Sequence, residues 1–376
     1  YVKAVHAEKA LALPGVYGVY HCLNTTDRKY NRYHSNFDQA YLPNEECAFN
    51  DYVRFVGDKI GVVAACDQET AERAARLVEV EYEELPFSIG FDDTLAGKNC
   101  LEGETPVRDE YTLEVGKKQE STEGLIEVCS TMELPRLHHA TMETHACIAD
   151  YDPYSDMLTV YCPNQAVHGI RTVLADFLEM PESHVRVVKA TMGGSFGAKQ
   201  EWFLEPVTAL VAKKLCRPVK LVYSRGEAMT DTIVRGAMRM SARGYYTPDG
   251  EMKEIYCDVT LDAGAYIGNA GDYIRALAGK PTRCYRIPYM HYHGQVISSN
   301  SPVSGAFRSW SAAEEALMME RQIDAAAEKL GIDRLTIRLK NVAHAGEEDK
   351  KLHLSLEDIR IGDAITLGSE KFGWDK

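Results

Sequence analysis

The stretch from Met192 to Gln200 has the sequence Met-Gly-Gly-Ser-Phe-Gly-Ala-Lys-Gln and separates two segments of different periodicity. Before it, residues 184–191 alternate apolar and polar side chains, as a β-strand does. After it, apolar side chains recur at the spacing of an amphipathic helix, at Phe203, Val207, Leu210, Val211 and Leu215. The pattern predicts a strand, a tight glycine loop and a helix.

Such a loop is suited to binding an anion. Glycine lets the backbone approach a ligand, and unpaired N–H groups at a helix start, with the positive end of the helix dipole, favour phosphate or an oxo-anion. The Walker and G-x-G-x-x-G spacings are both absent, since Lys199 follows Ala198 and precedes Gln200. By itself the loop is equally compatible with a structural turn that binds nothing.

Length and charge limit the function classes. The chain has 376 residues, which predicts two or more domains, and it carries 42 basic against 56 acidic residues, a formal charge of −14. No basic stripe offsets this charge, so neither a nucleic acid nor an anionic membrane is expected as a partner. The apolar runs are too short to cross a bilayer.

The ten cysteines are dispersed singly, without a C-x-x-C pair or ferredoxin-type spacing. This distribution predicts that the chain holds no iron–sulfur cluster or zinc ribbon. Dispersed cysteines are typical of buried thiols in a reducing compartment, so we expect a cytoplasmic protein. Because the chain opens at Tyr1 in what resembles the interior of a domain, we also expect native residues before it.

Residues 1–88 predict a small α/β unit. Strands are expected at residues 16–20, 59–65 and 80–85, with a helix after the second strand. Asp67 is placed to cap that helix.

Periodicity fades over residues 89–130, which predicts a connector with one or two strands. The second unit begins near Thr131 and extends to residue 376. Its predicted helices lie at residues 167–177, 203–215, 312–330 and 333–341, and its predicted strands lie at residues 219–223, 238–246 and 254–261.

The segment 138–145 places His138, His139 and His145 near Glu143. A zinc site is one interpretation of three imidazoles and a carboxylate. There is no His-Glu-x-x-His, however, which favours the alternative that these side chains form the polar wall of a cavity.

Several motifs occur together in the order found in the molybdenum-binding subunit of the xanthine dehydrogenase and aldehyde oxidase family. These are the glycine loop at 193–199, Gly-Ala-Phe-Arg-Ser-Trp at 305–310, the helix segment 320–327, and the strings 13–16 and 78–86. The chain resembles about half of that subunit. The resemblance implies an α+β fold: a partial hammerhead-like α/β domain at 1–88, a connector at 89–130, and the first molybdopterin-binding domain at 131–376, with mixed sheets and flanking helices.

The resemblance also implies a hydroxylase. Water-derived oxygen is transferred to an electron-poor carbon at molybdenum bound by molybdopterin or its cytosine dinucleotide form. The electrons leave through [2Fe–2S] clusters and FAD, which are expected on partner subunits. The family's glutamate base lies in the other half, so no catalytic residue is expected here, and a second molybdenum-binding segment or subunit is implied.

Cofactor contacts are implied for six residues. Gln165 matches the glutamine whose amide reaches the molybdenum oxo ligand, so it contacts that ligand and not the metal directly. Arg308 matches the arginine beside the cofactor. The backbone that passes under the metal corresponds to Gly194, Ser195, Phe196 and Gly197. Two features depart from the family pattern: Ser195 and Ala198 replace glycines, and Ser-Trp-Ser at 309–311 replaces Gly-Phe-Gly.

Substrate contacts are implied for three residues. Trp310 occupies the place of a stacking phenylalanine, Gln200 that of a purine-contacting glutamate, and Arg275 resembles the arginine that polarises a substrate carbonyl. They predict a purine or related N-heterocycle as substrate. Each residue also has a structural alternative: Gln165 as a helix cap, Trp310 as core, Arg308 paired with a carboxylate, and Arg275 as a solvated charge.

Other functions stay open at this point. An aldehyde oxidoreductase or a nicotinate-type dehydrogenase subunit of the same family is possible, and so is a non-catalytic binding protein with the same fold. A phosphate-binding enzyme that uses the glycine loop alone is disfavoured, because the chain lacks the catalytic lysine and carboxylates of such sites.

Overall fold

Two sheets, of four and five strands, are the largest in the described part of the chain. The computed structural model describes residues 1–33, 43–98 and 105–374. The strands are β1 Val2–His6, β2 Val16–His21, β3 Gly61–Ala65, β4 Glu79–Tyr82, β5 Val107–Gly116, β6 Ile126–Leu134, β7 Ala146–Asp152, β8 Met157–Cys162, β9 Val185–Lys189, β10 Val219–Val222, β11 Ala237–Tyr246, β12 Met252–Asp262, β13 Tyr289–Ile297, β14 Glu348–Asp349 and β15 Leu354–Ser355. The helices are α1 Glu8–Leu11, α2 Gln68–Ala75, α3 Phe91–Leu95, α4 Val167–Phe177, α5 Glu205–Leu215, α6 Arg225–Asp231, α7 Ala270–Ala278, α8 Pro281–Cys284, α9 Ala312–Leu330, α10 Arg334–Asn341 and α11 Ile361–Phe372.

The first unit is built from two antiparallel pairs, β2 with β3 and β1 with β4. Helices α1 and α2 pack against them around a small core that includes Ala10, Val19 and Ala74. The predicted cap of α2 is confirmed, since the Asp67 side chain accepts a hydrogen bond from the Thr70 N–H at 2.8 Å.

The segment between β2 and β3 joins this unit to the rest of the chain. The indole N–H of Trp202 donates to the Asn31 carbonyl at 2.9 Å, and Lys59 lies 3.2 Å from Asp231. The guanidinium of Arg32 is buried against the carboxylate of Glu46. Buried charges require partners, so the Arg32–Glu46 pair stabilises the described part of this segment, and the Lys59–Asp231 pair joins it to the second unit.

The four-stranded sheet has the order β10-β7-β8-β9 and positions the glycine loop. Strands β8 and β9 are parallel, and α4 connects them. Leu174 from α4 and Leu210 from α5 belong to its buried core. Strand β9 ends at Lys189 and delivers the chain to the loop.

The five-stranded sheet has the order β5-β13-β12-β11-β6. Helices α7 and α9 cover one face, where Leu277, Met318 and Ile323 are buried. The outer strands β5 and β6 come from the segment predicted as a connector. Their charged, alternating residues suit an edge position, where one side of the strand faces solvent.

The observed mixture of helices and sheets confirms the α+β class. Every cysteine in the described ranges is free, and Cys100 lies outside those ranges. Across those ranges no helix has both the length and the apolar character needed to span a membrane.

Candidate functional site

The glycine loop is shaped by three residues with left-handed backbone: Gly194 at φ +99°, Phe196 at φ +56° and Gly197 at φ +104°. Helix α5 does not follow directly but begins at Glu205. The prediction that a helix N-terminus supplies the anion site is therefore wrong. The residues after Gly197 turn inward and are largely buried, so they separate the loop from the dipole, whose effect extends only about one turn.

The backbone N–H groups of the loop supply the donors instead. Within the described ranges, the N–H groups of residues 194–197 donate to no protein acceptor. The residues around them are half-buried or exposed, and the Phe196 side chain is 54 % exposed. Successive free N–H groups in a turned backbone form a concave anion site.

Glu143 and His145 contact the glycine loop and stabilise it. The Gly193 N–H donates to the Glu143 carboxylate at 2.7 Å, and the buried Lys199 ammonium is paired with the same carboxylate. Burial raises the pKa of Glu143, but its bonds to Lys199 and Gly193 outweigh burial and leave the pKa below its ordinary value. The His145 ring lies 3.0 Å from the Ala198 carbonyl.

The segment around Ala306 and Phe307 forms the opposite wall. A Cβ on Gly197 would come within 2.4 Å of the Ala306 carbonyl oxygen, so only glycine allows this approach. The His139 ring contacts the same carbonyl at 2.8 Å and lies 4.4 Å from the Phe307 ring. The Arg235 guanidinium covers Phe307 at 4.2 Å.

Gln165 lies across from the loop on an exposed turn. Its backbone N–H donates to the Lys199 carbonyl at 2.7 Å, and its side-chain oxygen accepts a hydrogen bond from the Ser195 hydroxyl. Gln165 does not cap α4, because the N-cap residue is Ala166 and no side chain caps the helix start. With its oxygen engaged, the amide of Gln165 presents its N–H groups as free donors among the described residues.

Arg308 is exposed, and its guanidinium forms no hydrogen bond or ion pair with another described residue. It precedes three left-handed residues, Ser309 at φ +78°, Trp310 at φ +33° and Ser311 at φ +70°. The Lys280 ammonium holds this turn by donating to the Trp310 carbonyl and the Ser311 hydroxyl, each at 2.5 Å. Strain of this kind persists only where neighbours over-determine it.

The predicted substrate residues lie in three different environments. Gln200 ends the loop and is half-buried. Trp310 packs edge-on against Tyr273 at 5.8 Å, and its indole N–H is buried without a partner in the described ranges. Arg275 is paired with Asp109 and also donates to the Gly271 carbonyl at 2.9 Å. The contacts of Trp310 match its structural alternative as a core residue. Arg275 lies half-buried on α7 in an ion pair, so the alternative of a solvated charge is wrong for it. The substrate roles of both residues stay predictions.

The histidine cluster forms part of the wall behind the loop. His138 contacts the Ala228 carbonyl at 2.9 Å, while His139 and His145 contact the carbonyls already named. Burial lowers the pKa of His139 to about 4 and that of His145 to about 4. Within the residues searched, no group of three or more potential ligands is arranged for a metal ion. The contacts of the three rings to backbone carbonyls match the interpretation as a polar wall.

Sequence reasoning missed Arg235 and Glu314, and it did not see that Glu143 anchors the loop. The Nε of Arg235 lies 2.8 Å from a carboxylate oxygen of Glu314, which is 1 % exposed. The pair supports Phe307 from behind. Two charged residues in otherwise apolar surroundings are the only signal that the sequence offered.

Two family models match the chain. The molybdopterin cofactor-binding domain matches residues 104–342, and the a/b hammerhead domain of aldehyde oxidase and xanthine dehydrogenase matches residues 1–86. Together they cover most of the two units described above.

Relatives with different substrates in their names are similar to the chain. The xanthine dehydrogenase molybdenum-binding subunit of Escherichia coli O157:H7 is 28 % identical over all of this chain and 51 % of its own length. The nicotinate dehydrogenase large molybdopterin subunit of Eubacterium barkeri is 30 % identical over 98 % of this chain and 88 % of its own length. The carbon monoxide dehydrogenase large chain of Hydrogenophaga pseudoflava is 33 % identical over 90 % of this chain and 45 % of its own length. The chain thus spans about half the length of several curated relatives.

Solved structures share the fold. Quinoline 2-oxidoreductase from Pseudomonas putida 86 superposes with a TM-score of 0.88 at 23 % identity, over all of this chain and 49 % of its own. Aldehyde oxidoreductase from Desulfovibrio gigas superposes with a TM-score of 0.88 at 23 % identity, over 99 % of this chain and 42 % of its own.

Proposed function

The chain belongs to the aldehyde oxidase and xanthine dehydrogenase family of molybdopterin-binding proteins, and from this premise we propose that it is the cofactor-binding part of a molybdenum hydroxylase for an N-heterocycle. The observation that carries the proposal is the row of free N–H groups at residues 194–197, which faces the side-chain amide of Gln165. Donors on two sides of one concave surface suit an anionic, oxygen-rich ligand.

The described residues fit a molybdenum-pterin group. The loop has unused donors, and Gly197 packs against Ala306 so closely that a side chain there would displace the backbone. Arg308 adds an exposed positive charge beside the same surface. When bound, the molybdenum-pterin group supplies the two-electron oxidation and the activated oxygen of the hydroxylation.

The residues of this chain would bind and orient the molybdenum-pterin group. The amide N–H groups of Gln165 would be placed to donate to an oxygen of the bound group, and Ser195 fixes which side of the amide faces outward. The N–H groups of residues 194–197 would stabilise negative charge on an oxygen of that group, as preorganised backbone donors do in oxyanion holes. Glu143 and Lys199 keep the loop in this arrangement.

The complete activity requires further components. We propose that a second molybdenum-binding segment or subunit supplies the general base, and that [2Fe–2S] and FAD subunits carry the electrons away. The half-length coverage of several relatives supports a larger assembly. The free cysteines of the described ranges support a reducing compartment such as the cytoplasm.

For the substrate we propose a purine or related N-heterocycle. Relatives named for xanthine and nicotinate support this class, and Gln200 offers both a donor and an acceptor to a ring edge. Arg275 adds little support, because Asp109 and the Gly271 carbonyl engage its donors. Aldehyde oxidation is the alternative within the family.

The native assembly tests the proposal directly. We expect about one molybdenum and one pterin per copy of this chain, and hydroxylation of hypoxanthine, xanthine or nicotinate in preference to benzaldehyde. A folded native assembly that contains no molybdenum and hydroxylates none of these compounds would favour a non-catalytic binding protein. If benzaldehyde is the best substrate, the family assignment stands and the N-heterocycle proposal is wrong.

A further inference from the structure

Glu201 is fully buried directly after Gln200, at the point where the glycine loop turns into the protein. One carboxyl oxygen accepts a hydrogen bond from the Asn269 side-chain amide at 3.0 Å. The other has no hydrogen-bond partner within the described ranges. A buried carboxyl with an unpartnered oxygen is costly, so a function for it is expected.

Glu201 touches each segment that the proposed cofactor site uses. Its backbone carbonyl accepts from the Asn164 side chain at 2.8 Å, and Asn164 precedes Gln165. Its carboxyl packs on Gly305, where an added Cβ would lie 2.5 Å from the carboxyl oxygen. Gly305 leads directly into Ala306, which closes against the glycine loop.

The surroundings of the carboxyl favour its protonated form. Burial raises the pKa of Glu201 to about 8, and Glu46 adds to the increase, while the positive charge of Arg32 acts in the opposite direction. Arg32 is already paired with Glu46. The groups that face Glu201 therefore leave it largely neutral at pH 7.

We propose that Glu201 is a positioning residue that holds the 193–200 loop, the Gln165 turn and the Gly305–Ala306 segment in the arrangement the cofactor requires. That a cofactor needs this arrangement rests on the proposed function, whereas the contacts of Glu201 themselves do not. A neutral carboxyl suits it, because one oxygen accepts from Asn269 while the protonated oxygen is available as a donor. Glutamine has the same shape and the same pair of capacities.

Hydrogen exchange of the native assembly tests the proposal, with variants Glu201→Gln and Glu201→Leu. We expect Glu201→Leu to speed amide exchange in residues 193–200 and 304–308 by about tenfold or more, since these segments lose their common anchor. Glu201→Gln should exchange as the wild type does. The matched control is Glu254→Leu, which removes another fully buried carboxyl, on β12, and should leave both segments unchanged.

If Glu201→Leu fails to fold, Asn269→Ala decides, because it removes the donor to the carboxyl and should speed exchange in the same segments. Unchanged exchange in the Leu and Ala variants would overturn the proposal. Equal acceleration in Glu254→Leu would do so too, since the effect would then be general. Molybdenum content is measured in parallel. An assembly without molybdenum would contradict the proposed function, and the exchange rates would still test the positioning role of Glu201.

Discussion

The Ser195 hydroxyl donates a hydrogen bond to the side-chain oxygen of Gln165, a residue 30 positions earlier in the chain. The bond joins the glycine loop to the turn before α4 and leaves the amide N–H groups of Gln165 facing outward. Ser195 thus orients the Gln165 donor, which makes the pair a specific target for mutation.

Ser195→Ala should lower kcat by about two- to tenfold and leave KM nearly unchanged. A neutral hydrogen bond contributes about 0.5–1.5 kcal/mol, and a donor aimed at an oxo ligand acts mainly where charge changes in the transition state. Steady-state kinetics of the native assembly measure both constants. Ser155→Ala is the control, because that hydroxyl contacts Asp152 on an exposed turn. A rise in KM without a fall in kcat would contradict the orienting role.

Gln165→Ala should lower kcat more than Ser195→Ala does, by about 10- to 1000-fold, because it removes a preorganised donor such as those that form oxyanion holes. Ser195 acts through Gln165, so the double variant is expected to be no slower than Gln165→Ala alone. A double-mutant cycle measures this coupling. Additive losses would mean that Ser195 contacts the ligand independently.

Gly197→Ala should lower the molybdenum content of the assembly. An alanine there combines a φ of +104° with a Cβ at 2.4 Å from the Ala306 oxygen, so the loop must move away from its wall. Metal analysis and thermal unfolding measure the effect. Gly226→Ala on α6 is the matched control, since its nearest neighbour would be the Ser224 hydroxyl at 3.8 Å. Full molybdenum content in Gly197→Ala would contradict the close approach.

His145 should make stability depend on pH. Burial lowers the pKa of His145 to about 4, below the ordinary value of 6.5. Between these pH values the unfolded chain binds a proton that the folded chain does not. The unfolding free energy is therefore highest above about pH 6.5 and decreases as the pH falls toward 4. The loss is about 1.4 kcal/mol per pH unit within that window. His145→Gln should reduce the slope of the unfolding free energy between pH 6.5 and 4 by this amount, with His139 still contributing a slope of its own, while His344→Gln, on the surface, should leave the slope unchanged. Equal curves for wild type and His145→Gln would show that His145 is not buried as a neutral ring.

Much of the fold followed from local signals. Helix α9 occupies residues 312–330 as its apolar spacing predicted, and Asp333 caps α10 as expected. These elements carry their own periodicity and caps. Strand β13 escaped prediction although it lies inside the five-stranded sheet, because histidines, a glycine and a glutamine interrupt its apolar residues. Helix α11 escaped because no strong apolar stripe marks the tail.

The site was predictable in its motifs but not in its contacts. The glycines indicated where the backbone must turn, since that requirement is local. Which N–H groups stay free, and that α5 starts only at Glu205, depend on how residues 198–204 are buried. The contact between Gly197 and Ala306 joins distant segments, which no spacing in the sequence reveals.

The Arg275 guanidinium donates two hydrogen bonds to the carboxylate of Asp109, a residue 166 positions earlier in the chain. We expect Arg275→Met to lower stability by about 1–3 kcal/mol, because it leaves a mostly buried carboxylate without its partner. It should then reduce kcat/KM by a similar factor for hypoxanthine, xanthine, nicotinate and benzaldehyde. Asp109→Asn is the matched control, which breaks the same pair from the other side and should reproduce the stability loss. A loss confined to the substrates with a ring carbonyl, and absent from Asp109→Asn, would instead establish Arg275 as a substrate residue, since only a guanidinium that contacts the carbonyl discriminates among the four compounds.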